Sequence, residues 1–243
     1  MRVLTQSNKL GKGLSPVLSD QLWLLGILAA GIFAFAMVTV FVVSMFTDIR
    51  ISAWSVVGSA APWYMAGISG WIVYIQIPLF VTNGRSRKAG FREWFTTGIT
   101  LVPSAAILMA IGFLLEKGIY NLAGFTTDLD ETHRLGNATD FLILALQYLL
   151  TFAVWFALGG FVGASLYRSS DWGWVSIPIG IAIASLTGVW DHSGGGFFGF
   201  ARRIVPGIDY ESAWLDVGLS GIAIAIGVWL AWSLIQAMPM RNP

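Results

Sequence analysis

Six apolar runs without a single charged residue divide the chain: 21–47, 51–84, 94–115, 141–167, 172–190 and 217–240. The shortest holds 19 residues, and about 20 helical residues cross the roughly 30 Å hydrocarbon core of a bilayer. Backbone polar groups in lipid must be satisfied within their own segment, which selects helix. A strand barrel would show alternating segments of about ten residues, and these runs do not alternate in that way. The pattern predicts an all-α membrane protein whose single transmembrane domain fills residues 1–243. Its six helices are expected to span about 22–46, 61–82, 95–115, 141–167, 172–190 and 214–237.

Composition agrees. Hydrophobic residues make up 56% of the chain and charged residues 11%, against roughly 25% charged in soluble domains. No cysteine is present, so there is no disulfide framework and no thiolate metal site. The polar first 20 residues carry Arg2, Lys9 and Lys12 and lead into a run too long for the core of a signal peptide. They are expected to be a cytoplasmic N-terminal segment, with the first span acting as the insertion signal.

The distribution of charge orients the helices. Six spans put both termini on one side. That side then holds Arg2, Lys9, Lys12, Arg85, Arg87, Lys88, Arg92, Arg168 and Arg241, while Arg50, Lys117, Arg134, Arg202 and Arg203 lie opposite. Cytoplasmic loops carry the excess of basic residues, so the termini are expected in the cytoplasm. Acidic residues lean the other way: Asp128, Asp130, Glu131, Asp191, Asp209 and Glu211. Trp54, Trp63, Trp94, Trp172, Trp174, Trp190 and Trp214 fall near expected span ends and suit interfacial belts. Two outer segments exceed a turn: a polar loop over 117–139, and a glycine-broken aromatic stretch over 191–213, expected to be re-entrant or interfacial.

Several chemistries lack their residues. The two histidines, His133 and His192, lie in outer loops, so no span offers a haem ligand. No H-E-x-x-H pair and no intramembrane carboxylate pair is present, so no metal site is expected. Glu116 and Asp216 end spans three and six and are expected at the interface. Asp191, His192 and Ser193 are adjacent and cannot by themselves form a hydrolytic triad. The phosphate loop G-x-x-x-x-G-K-[ST] is missing. Near the midplane only Gln76, Gln147, Tyr74, Tyr148 and hydroxyl residues offer polarity, a weak basis for ion coupling.

What remains is packing and one basic segment. Gly159, Gly160 and Gly163 in span four, and Gly218 and Gly221 in span six, are candidate sites of close helix packing. Pro78 and Pro103 flank the second loop and predict kinks or helix ends. Between them "TNGRSRKAGFREWFTTG" places four cations in eight residues. Asn83-Gly84 suits a helix end, and Ser86 suits the cap of a short helix bearing Arg87, Lys88, Arg92 and Glu93. Phe91, Trp94 and Phe95 would give that helix an apolar face along the lipid headgroups or against a soluble partner.

Four features together resemble the ABC-2 type permeases, particularly the short six-span permeases of actinobacterial ABC exporters. They are the polar N-terminal segment, the "NGRSRKAGF" tip, "LGGFVGASLYR" closing span four, and the aromatic, glycine-broken outer segment before span six. One departure is "RSSDWGW", with a single arginine where relatives often carry more. The resemblance implies a multi-pass subunit of the bacterial plasma membrane with no catalytic residue of its own. It implies a nucleotide-binding ATPase partner, which holds ATP and magnesium, and a second permease copy or paralogue. No nucleic acid partner and no cofactor in this chain are implied. Arg85, Ser86, Arg87, Lys88, Phe91, Arg92, Glu93 and Trp94 would form the coupling helix. Cargo would be a peptide antibiotic, a drug or a lipid, as in resistance or immunity exporters. The alternatives are a non-transporting membrane subunit that scaffolds a larger complex, a secondary carrier or channel, and an intramembrane enzyme.

Overall fold

The computed structural model describes residues 16–46, 52–124, 137–186 and 213–238. They form α1 (Pro16–Ser44), α2 (Ala53–Trp71), a π-helical segment (Ile72–Gln76), α3 (Ile77–Thr82), α4 (Arg87–Ala123), α5 (Ala138–Arg168), α6 (Ser170–Leu186) and α7 (Ala213–Gln236). No strand occurs among the described residues. Five helical stretches are long and apolar enough to cross a membrane: Leu18–Ser44, Ala53–Thr82, Arg87–Ala123, Ala138–Arg168 and Val217–Gln236. The chain is a multi-pass membrane protein. The helix in the fifth expected span, α6, has 17 residues and is shorter than these. Expectations for the N-terminal cations, for Trp190 and for the outer segment up to residue 212 lie outside the described residues.

The three largest departures from the expected helix boundaries each have a local reason. The second begins at Ala53, not near 61, because Ser52 in extended conformation caps it and accepts from the Ser55 amide at 3.1 Å. The third shows no separate short amphipathic helix: α4 runs unbroken through the basic residues and Pro103 for 37 residues. At 1.5 Å per residue that is about 55 Å, far beyond the roughly 30 Å apolar core, so its ends project. The expected outer loop from 117 is helical as far as Ala123, where Gly124 (φ 70°) ends the helix in the left-handed region.

Pro78 marks an irregularity instead of a helix end. Its ring has no N–H and would crowd the carbonyl four residues back. The preceding turn widens, and the Ile77 amide reaches Ile72 O, five residues away. α3 then continues the axis of α2.

α5 occupies the centre, with α2, α4, α6 and α7 packed around it, while α1 touches only α2 and α4 closely. Its stretch from Thr151 to Gly160 is buried on nearly every side, as expected of a helix that is apolar all round. Apolar helices gain no hydrophobic drive to associate inside lipid, so contact depends on close van der Waals approach. Small residues make that approach possible: a Cβ on Gly159 would lie 2.3 Å from Ala66 O, and one on Gly163 2.4 Å from Gly70 O. The α2–α5 seam is therefore backbone against backbone. α5 and α6 are joined by the single extended residue Ser169, and Gly173 fits the corner because a Cβ there would strike the Leu166 backbone.

Candidate functional site

The basic segment is built on a tight turn. Asn83 ends α3 and Gly84 (φ 80°) takes the left-handed conformation. The Arg85 amide then reaches back to Phe80 O at 2.9 Å and the Gly84 amide to Val81 O at 3.0 Å, the paired bonds of a Schellman ending. Ser86, in extended conformation, accepts from the Ala89 amide at 3.2 Å and starts α4. Four residues thus reverse the chain with its turn polar groups largely satisfied. Gly90 lets the new helix lie against α3, since a Cβ there would sit 3.1 Å from Ile77 Cγ2.

The structure divides the expected coupling residues into two groups. Arg87, Phe91 and Trp94 are roots. Arg87 Nη1 donates to Gln236 O, the last residue of α7, at 2.6 Å, placing a cation on the negative end of that helix. The Phe91 ring packs on Trp232 of α7 with centroids 4.5 Å apart. Trp94 is 1% exposed; its Nε1 donates to Ser69 Oγ at 2.8 Å, and Ser69 Oγ donates in turn to Phe156 O. The indole stacks on Phe156 at 5.5 Å, and Gly160 leaves the space it fills. Trp94 is thus a core residue bonded to α2 and stacked on α5, not an interfacial anchor.

Arg85, Lys88 and Arg92 form the other group and are exposed. Lys88 and Arg92, four residues apart, share one helix face, and Arg85 lies over the Phe80 ring at 5.2 Å. Ser86 is exposed at the cap, and Glu93 is half-buried. The result is a cationic rim at one end of the bundle, on a base bonded to α7 and α2 and stacked on α5.

A second polar cluster lies at the other end, and the sequence reading missed it. Glu116, expected at the interface, is fully buried. Its carboxylate accepts from Ser52 Oγ at 2.6 Å and from the Trp54 amide at 3.2 Å, holding the N-terminus of α2 against α4. Trp54, expected in a belt, is 2% exposed. Its Nε1 donates to Met109 O at 2.9 Å, across a space that only glycine at 112 leaves open. Ser52 ahead of an apolar run was a legible cap signal; its partner 64 residues away was not. Of the other expected belt residues, Trp63 and Trp174 are exposed.

The candidate packing glycines also divide. Gly159, Gly160 and Gly163 meet α2 and α4 directly, whereas a Cβ on Gly218 or Gly221 would meet nothing within 4 Å. The partner of the α5 glycines, Ala66 and Gly70 in "AGISG", was not singled out, although its small-x-x-x-small spacing is visible. Among the described residues no cluster of His, Cys, Asp or Glu could hold a metal ion. No protein-family model matches this chain, and no curated protein and no solved structure matches it.

Proposed function

We propose that the chain is the permease subunit of an ABC-2 type exporter of the bacterial plasma membrane, driven by a separate nucleotide-binding subunit. The observation that carries the reading is the basic turn. Three exposed cations stand on a base that is hydrogen-bonded to the end of α7 and, through Trp94, to the seam of α2 and α5. A surface charge set that only oriented the protein would need no such root. In this reading α6 also crosses the membrane, as the fifth of six spans in chain order. Both termini are then cytoplasmic with nine of the 14 cations, which agrees with the end of α7 lying beside the start of α4. Two such subunits would pair, and the motor would dock on the rim formed by Arg85, Lys88 and Arg92. The cargo is a hydrophobic or amphipathic molecule: a peptide antibiotic, a drug or a lipid.

The test is copurification. The full chain is expressed with the products of its neighbouring genes, extracted in mild detergent and captured by a tag. A stoichiometric soluble ATPase is expected to come with it. Lys88→Glu combined with Arg92→Glu is expected to release that ATPase while leaving elution and melting of the permease unchanged. Capture without an ATPase, or an ATPase indifferent to both reversals, overturns the proposal. Stable capture of a partner without a phosphate loop would favour a scaffolding subunit.

A further inference from the structure

The four cations of the basic turn differ in what they meet. Arg87 is held by Gln236 O at the end of α7. Arg85 precedes α4 and rests on the Phe80 ring. Lys88 and Arg92 are exposed, and among the described residues neither side chain has a hydrogen bond or an ion pair.

The residues that follow on α4 show where this pair points. Lys88, Arg92, Phe95 and Ile99 succeed one another at spacings of four, three and four, which puts them on one helix face. All four are exposed. Phe95 and Ile99 lie inside the Arg87–Ala123 span, where the surroundings of an exposed apolar side chain are lipid. The face that carries the two free cations is therefore the lipid-facing one. Glu93 is half-buried and lies about 100° around the helix from Arg92.

Depth agrees with direction. The charge-free run 94–115 is about 32 Å long at 1.5 Å per residue, the thickness of a hydrocarbon core. Arg92 then stands about 3 Å beyond its edge and Lys88 about 9 Å. The headgroup layer on each side is roughly 5–8 Å thick, so Arg92 lies within it and Lys88 at its outer margin, from which a long side chain reaches back. Just below, the Phe95 ring stacks on Phe91 with centroids 6.0 Å apart, and Phe91 packs on Trp232. The apolar step beneath the cations thus has a fixed shape. A zwitterionic lipid offers a phosphate here but brings its own cation. Two basic side chains without an acidic partner favour a headgroup of net negative charge.

We propose that Lys88 and Arg92 hold the phosphate of an anionic phospholipid at the membrane face, with one of its chains lying along Phe95 and Ile99. The site concerns only the chain and its bilayer and does not rest on the export reading. In that reading the motor meets the rim with this lipid already on its membrane-facing side.

The experiment uses the full chain alone, without any ATPase, in phosphatidylcholine nanodiscs. Each sample holds an equal small share of a probe, phosphatidylglycerol or phosphatidylcholine, with a diazirine near the glycerol end of one chain. After irradiation, label at residues 91–99 is expected to be about tenfold or more higher from phosphatidylglycerol, the worth of two basic residues at a membrane surface. Ile222, exposed about as deep at the opposite end of α7, is expected to take both probes equally. Lys88→Gln combined with Arg92→Gln should remove the excess, whereas Lys88→Arg with Arg92→Lys should keep it. Inorganic phosphate in the buffer should not compete. Equal label from the two probes at 91–99 overturns the proposal and needs no variant to fold. An excess that survives the double glutamine change, or one that inorganic phosphate abolishes, overturns it as well. None of these results depends on whether an ATPase binds, so this proposal and the export reading can fail separately.

Discussion

The seam between α2 and α5 and the edge held by α1 are made of similarly apolar helices, yet they behave as different materials. At the seam Gly159 and Gly163 face Ala66 and Gly70, and the backbones touch. At the edge Leu25, Ile32 and Phe35 line a cavity instead of closing it, and neither Gly26 nor Gly31 of α1 has anything within 4 Å of where a Cβ would stand. Hydropathy is blind to this difference. Inside a bilayer it is the shape of facing surfaces, not their greasiness, that decides whether two helices hold each other.

Substitutions can press on that contrast, and the largest effect belongs to the seam. Gly163→Val would drive a side chain into the Gly70 backbone, where no rotamer change gives relief. We expect a loss of about 3 kcal/mol or more, seen as aggregation in size-exclusion chromatography. The same change at Gly31 of α1 should leave the protein monodisperse. Equal tolerance at both sites would erase the contrast.

The two polar clusters that pin the seam helices come next. Glu116→Ala strips the acceptor from Ser52 Oγ and the Trp54 amide, for an expected cost of about 2–3 kcal/mol. Thermal melting in detergent should fall accordingly, and Glu116→Gln should recover part of the loss. Ser69→Ala removes the bridge between Trp94 and Phe156 O, and a cost of about 1–2 kcal/mol is expected in the same assay. A Ser69→Ala melt equal to that of the parent would show that stacking alone holds Trp94.

The smallest effect is expected on α7. Gly218→Ala and Gly221→Ala add a methyl to open space and should be neutral or stabilising by up to about 1 kcal/mol, through the lower backbone entropy of alanine. A clear loss of stability would instead mean that this face of α7 is covered in the assembled protein.

The sequence was most legible where chemistry is local. Gly84 at the end of α3, Ser86 at the start of α4 and the Gly159/Gly163 pair could each be named from neighbours a few residues away, because turns, caps and helix faces have short periods. Trp54 and Trp94 were misread for the opposite reason. An indole near the end of an apolar run suits a membrane interface, and only partners 55 and 25 residues away in sequence, Met109 and Ser69, draw these two into the core. Glu116 was misplaced in the same way, since a carboxylate ending a span looks solvated until Ser52 is known to cover it. The long α4 was read as a loop, a short helix and a span, because charge marks where a helix leaves the lipid and not where it stops being a helix.

Charge spacing and apolar run length alone determined that this is a helical, multi-pass membrane protein with a basic turn between two of its helices. Both follow from the cost of placing charge and unpaired backbone in hydrocarbon, a cost paid residue by residue. Only the tertiary structure decided which cations of that turn are free and which are bound. Arg87 is held by Gln236 and Trp94 by Ser69, while Lys88 and Arg92 stay exposed. It also decided that α5 is the centre and α1 the loose wall of a cavity. Those outcomes depend on which surfaces meet across scores of residues, and a one-dimensional pattern holds no record of that.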